Sequence, residues 1–113
     1  MKILISLNSS WNLINFRKSL IKNLIDKNNE LIIAIPKDEN IKEVIQLNLN
    51  AKIIYINIDR KSFSIIKNFS LLINYVRIIY CYKPDIILLY TIKPNIFCSL
   101  ATIFFFRKIK IYN

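Results

Sequence analysis

"YTIKPNIFCSL", residues 90–100, joins two apolar runs, and its reading decides the fold. Residues 86–106 are long enough to cross a bilayer by length alone, yet Lys93, Pro94 and Asn95 fall near the centre. A lysine in mid-span costs about 2.5 to 3.5 kcal/mol, and the proline frees a backbone carbonyl that lipid cannot satisfy. A loop between a buried strand and a helix holds the same residues at neither cost. Pro94 then occupies the first turn of a helix, where its missing N–H is harmless.

Outward from this stretch the same grammar recurs. "KILISL" (2–7), "ELIIAI" (30–35), "KIIYINI" (52–58), "DIILLY" (85–90) and "KIKIY" (108–112) are strand-length, β-branched and bounded by polar residues. Their near-continuous hydrophobicity means burial on both faces, as in a parallel sheet. Between them lie segments of helical period. Leu13, Phe16, Leu20 and Leu24, joined by Ile14, Ile21 and Ile25, form one stripe. Ile41, Val44, Ile45 and Leu49 form a second; Ile65, Phe69, Leu72, Val76 and Ile79 form a third that runs to Tyr82 before Lys83-Pro84 stops it. A fourth includes Phe97, Leu100, Ala101 and Phe104. This alternation predicts one α/β domain over residues 1–113: an open parallel Rossmann-like sheet of about five strands, with helices on both faces and right-handed crossovers.

Composition narrows the chemistry. The chain has no histidine and no glycine, which removes Ser-His-Asp and Cys-His catalysis, histidine metal sites, the G-x-G-x-x-G fingerprint and the P-loop. A net charge of +10 suits phosphorylated ligands, an anionic membrane or nucleic acid, and abundant Ile, Lys, Asn, Phe and Tyr are also what AT-rich coding produces. The basic residues follow no RNP-like or helix-turn-helix pattern, so nucleic acid is not an expected partner. Cys81 and Cys98 lack metal-ligand spacing, sit in apolar sequence and fit a reduced, cytoplasmic setting. The apolar stretch after Met1-Lys2 is too short for a signal peptide.

Ligands of open parallel sheets bind outside the carboxyl ends of the strands. On that edge fall Asn8, Ser9, Ser10 and Trp11 after strand one, Lys37 and Asp38 after strand two, Asp59, Arg60 and Lys61 after strand three, and Tyr90, Thr91, Lys93 and Asn95 after strand four. Ser9, Ser10 or Asn12 can each cap the first helix. Trp11 suits either stacking on a sugar or a lipid headgroup region, or else stapling the start of the helix. Arg17 either grips a phosphate bidentately or snorkels. Lys93 is either a ligand cation beside a helix start or a solvated one, with Thr91 or Asn95 as cap. Asp59 either acts as base or sugar-hydroxyl acceptor or pairs with Arg60 and Lys61.

"NSSWNLINFRKSLIKNLI", "IPKDE", "IDRKS" and "KPDIILLYTIKPNIFCSLA" together resemble the amino-terminal domain of family-4-type GT-B glycosyltransferases, over essentially all 113 residues. The closest group extends lipid-linked sugars for surface polysaccharide or glycoprotein assembly. The resemblance implies an acceptor-binding half of a retaining, metal-independent transferase, with Ser9, Ser10, Trp11, Arg17 and the loop 90–95 on the cleft wall. It implies no cofactor besides a nucleotide-sugar donor, a lipid-linked acceptor, and a peripheral place on the cytoplasmic face of an anionic membrane. The carboxyl-terminal donor-binding domain has no counterpart in these residues. The expected activity therefore needs a donor-binding domain from elsewhere, the chain being a fragment of a longer or degraded gene or one subunit of a split enzyme; the alternative is a non-catalytic membrane-surface or partner-binding module. Where the family commonly has glycine, this chain has Asn28-Asn29 after the first helix and Cys98 in the fourth. Asparagine tolerates the left-handed turn, whereas cysteine adds bulk.

Overall fold

A computed structural model describes residues 1–47, 50–56, 65–90, 92–102 and 109–112; the side chains of residues 65–67, 92, 93 and 95 fall outside that description. The strands are β1 (Lys2–Ser6), β2 (Glu30–Ile35), β3 (Lys52–Tyr55), β4 (Ile86–Leu89) and β5 (Lys110–Tyr112). They form one parallel sheet in the order β3-β2-β1-β4-β5. All five apolar runs thus contain strands, and the first crossover is anchored by Lys2 opposite Glu30.

Strand alternation divides the core into two clusters. Leu4, Ile32, Ala34, Ile87 and Leu89 face one side, where α4 (Ile65–Tyr82) and α5 (Ile92–Thr102) cover them with Leu71, Tyr75, Ile78, Ile79, Cys98 and Ala101. Ile3, Ile5, Leu31, Ile33 and Ile35 face the other. That side is covered by α1 (Ser10–Asn12), a π-helical segment (Leu13–Arg17), α2 (Lys18–Asp26) and α3 (Ile41–Gln46). Both faces are therefore dry, which is why the strand sequences show no polar alternation.

The predicted helical stripes are partly displaced. Leu13 and Ile21 are buried as expected, but Phe16 is exposed, because a π turn advances each residue by less than the roughly 100° of an α-helix. In α3, Ile41 and Val44 reach the core while Ile45 points to solvent; Leu49 lies outside the described residues. In α4, Phe69 is exposed and the buried stripe is Leu71, Tyr75, Ile78 and Ile79, with Leu72 and Val76 at its margin. That helix is apolar almost all round, so period alone does not select the buried arc. In α5, Ala101 is buried and Phe97 partly buried, but Leu100 is exposed; Phe104 lies outside the described residues.

Without glycine, the left-handed corners fall to other residues. Asn28 (φ 63°) ends α2 in a Schellman motif, its N–H donating to the Ile25 carbonyl at 3.0 Å and the Asn29 N–H to that of Leu24 at 3.3 Å. Lys83 (φ 49°) ends α4, its N–H donating to the Ile79 carbonyl at 2.9 Å. The Asn28-Asn29 expectation thus holds, and Lys83 carries the larger steric penalty. Lys83→Gly should raise stability by about 1 kcal/mol in urea denaturation, with a smaller gain for Asn28→Gly.

The two cysteines differ. Cys98 is fully buried and burial pushes its thiol up to about 12, so its bulk is accommodated as core. Cys81 is exposed, contrary to its apolar sequence context, because it lies on the outward side of α4. Ellman's reagent should titrate one thiol rapidly in the native protein and both after denaturation.

Candidate functional site

The carboxyl edge of the sheet begins where the ladder is locked one residue beyond the strands. The Leu7 N–H donates to the Ala34 carbonyl at 3.2 Å, Tyr90 N–H to that of Ser6 at 3.1 Å, and Ile56 N–H to that of Ile35 at 3.0 Å. Loops leaving this edge therefore start from fixed points.

After β1 the chain turns at once into helix. Ser9 is extended (φ −159°, ψ 149°) and its Oγ accepts the Asn12 N–H at 3.1 Å, which makes it the cap among the three expected candidates. Ser10 N–H donates to Asp38 Oδ2 at 2.8 Å, and Asn40 N–H donates to Asp38 Oδ1 at 3.2 Å. One carboxylate thus ties the loop after β1 to the loop after β2. Its position after strand two was legible; its clamping role depends on a contact between residues 28 apart in sequence.

The π segment sets the next element of the site. It turns Arg17 toward the sheet, where the guanidinium carbon lies 3.9 Å from the centroid of the Tyr90 ring. This is a stacked cation–π contact. Three side-chain atoms in this stretch are buried without a hydrogen-bond partner among the described residues: Ser10 Oγ, Asn12 Oδ1 and Arg17 Nε. Buried polar groups are normally paired, so a cluster of orphans marks a place where a ligand or water completes the set. π turns recur at functional sites.

The other expected residues divide. Asn8 is half-buried in the same loop. Trp11 is exposed and meets Phe16 edge-on at 5.3 Å. Lys37 is exposed, its ammonium 5.7 Å from the Tyr55 ring centroid, toward β3. Asp59, Arg60, Lys61 and Thr91 lie outside the described residues. Lys93 and Asn95 are in the first turns of α5, beside Pro94, which is buried. The edge therefore brings together Ser9, Ser10, Arg17 and Tyr90, with Asn12 and Asp38 added by the structure. Among the described residues no group of His, Cys, Asp and Glu could hold a metal ion, and no helix is long and apolar enough to cross a membrane.

No protein-family model matches the sequence, and no curated protein matches it. Solved structures do match the fold. A glycosyltransferase from Rickettsia africae superposes with a TM-score of 0.73 at 20% identity, covering 97% of this chain and 28% of that one. MurG from Acinetobacter baumannii gives 0.69 at 15% identity, covering 98% and 33%. A UDP-GlcNAc 2-epimerase from Neisseria meningitidis, solved bound to UDP-GlcNAc, gives 0.67 at 20% identity, covering 90% and 29%. The chain thus spans a third or less of each of these proteins, and what it shares with them is the Rossmann-like parallel α/β fold.

Proposed function

We infer that this chain is the acceptor-side half of a glycosyltransferase, holding the diphosphate of a lipid-linked saccharide at the carboxyl edge of its sheet at the cytoplasmic membrane face. A separate domain would bind the nucleotide-sugar donor and stabilise the departing nucleotide diphosphate. The observation that carries the reading is the Arg17 guanidinium stacked on Tyr90 with its Nε buried and unpartnered among the described residues. A planar guanidinium matches phosphate oxygens in pairs, and stacking fixes its plane before the ligand arrives. The Ser10 hydroxyl supplies a further donor and Asn12 Oδ1 an acceptor for a sugar hydroxyl. Fold likeness to a glycosyltransferase and to a UDP-GlcNAc 2-epimerase supports sugar chemistry on this scaffold.

The test combines this chain with candidate donor-binding domains, labelled nucleotide sugars and a polyprenyl-diphosphate-linked saccharide. Transfer should require both chains, and the acceptor should bind this chain alone. Acceptor binding with transfer at background in every combination would favour a binding module without chemistry. Absence of acceptor binding would overturn the reading.

A further inference from the structure

Helix α4 is apolar on two sides. One side packs on the sheet through Leu71, Tyr75, Ile78 and Ile79. On the other, Phe69, Ile73 and Tyr80 are 61%, 43% and 69% exposed, and Val76 lies between them, partly buried. The intervals are four, three and four residues, the stagger with which one helix lays a seam along another. A helix that met only the sheet would turn polar residues outward here. On the neighbouring α5, Ile96 and Leu100 are also exposed; they are its fifth and ninth residues, as Phe69 and Ile73 are of α4. At about 200 Å² for a large side chain, these five leave on the order of 500 Å² in water, more than half of the roughly 800 Å² that each partner of a standard interface covers.

The spacing selects its own partner. Four-three-four reads the same from either end, so a two-fold axis can set α4 of one copy antiparallel to α4 of another, each seam meeting its equal. The axis then passes between Ile73 and Val76. Phe69 of each copy meets Tyr80 of the other, with the Tyr80 hydroxyl left at the wet rim, and Ile73 meets Val76. The flank of the seam is self-complementary as well. Arg77 is the one charged residue among the described side chains of α4 and α5, and neither helix contains an acid. In this register Arg77 of one copy falls between Ser70 and Asn74 of the other, whose side-chain oxygens can accept from the guanidinium. The two arginines are displaced by five residues, about 7.5 Å along the helix, so they do not oppose one another directly.

We propose that two copies of this chain pair through the outer side of α4, antiparallel about a two-fold axis, with Ile96 and Leu100 at the margin of the contact. The pairing stands independently of the acceptor reading, whose residues Arg17 and Tyr90 belong to the carboxyl edge.

Sedimentation equilibrium of the whole chain across the micromolar range should show a reversible monomer–dimer equilibrium. Added salt should tighten the dimer, because each copy carries a net charge of +10 that salt screens. Phe69→Ser/Ile73→Ser should weaken pairing by about a hundredfold or more, since both copies lose both side chains. Ile45→Ser, exposed on the opposite layer, should pair as the parent does. The far-UV circular dichroism of the dilute monomer should be the same in all three, because the altered side chains are exposed. Crosslinking tests the register. In a Cys81→Ser background, oxidation should join Phe69→Cys chains to Tyr80→Cys chains in a mixture but neither variant to itself, because like positions stand about 16 Å apart along the helices. Cys98 takes no part, being buried. An undiminished dimer in the double α4 variant, self-joining of either cysteine variant as fast as the mixture, or a dimer that salt dissolves would each overturn the proposal. A monomer at every concentration would also overturn it, and would give this face to lipid if vesicles then sediment the parent but not the double variant.

Discussion

Arg17→Ala should weaken binding of a detergent-solubilised polyprenyl-diphosphate acceptor by about ten- to a hundredfold, the equivalent of one or two charge-assisted hydrogen bonds. Arg17→Lys should not restore it. An ammonium carries the charge but neither the paired donors nor the flat surface that rests on Tyr90 at 3.9 Å. Tyr90→Leu should give a smaller loss, because it frees the guanidinium without removing it. Stability should fall by only about 1 kcal/mol in Arg17→Ala, which forfeits the cation–π contact with Tyr90 but no hydrogen bond of Arg17 Nε among the described residues. Isothermal titration with the diphosphate and with a matched monophosphate measures both affinities. Undiminished affinity in Arg17→Ala would remove Arg17 from the site.

Ser6→Ala should destabilise the fold by about 2 kcal/mol, a drop of roughly 10 °C in Tm for a domain of this size. Ser6 Oγ lies 2.6 Å from the Tyr75 hydroxyl and 3.2 Å from the Ala34 carbonyl, with all three residues fully buried. The carbonyl only accepts, so Ser6 donates to it and Tyr75 donates to Ser6. Burial drives the Tyr75 phenol far above its ordinary range, the Ser6 bond pulling part of the way back, so Tyr75 acts as a neutral donor. Removing Ser6 Oγ strands that donor in the core. Tyr75→Phe should cost only about 1 kcal/mol, since Ser6 keeps its bond to Ala34. The double variant should be less damaged than the sum, because the stranded hydroxyl is gone. Strict additivity in urea denaturation would refute this coupling.

The sheet was readable because a strand buried on both faces must be apolar throughout, and "ELIIAI" corresponds residue for residue to β2. The breaks between strands were readable for the same reason: polar loops cannot be hidden in such a core. Helix faces were less legible. Phe16 and Leu13 satisfy an α-helical period, but nothing local announces the π turn that exchanges Phe16 for Arg17 on the inner side. In α4, apolar residues on two arcs fit the period equally, and the choice falls to Tyr75 because Ser6, 69 residues away, offers it a partner. At the site, Ser9, Ser10 and Tyr90 could be placed on one edge from strand order alone, whereas Arg17 could be placed only in the first turns of the helix that follows. Their mutual geometry depends on Asp38 bridging two loops and on the stacking of Arg17, neither of which a local pattern encodes.

The widened turn at Leu13–Arg17 also bears on how this scaffold can change. A π bulge is an α-helix with one residue too many, so deleting a single residue there lets the helix rewind at little cost to its packing. Such a deletion would swing Phe16 inward and part the guanidinium from the Tyr90 ring in one genetic step. Loss of the Arg17–Tyr90 contact without loss of fold is thus built into the reading frame of this helix.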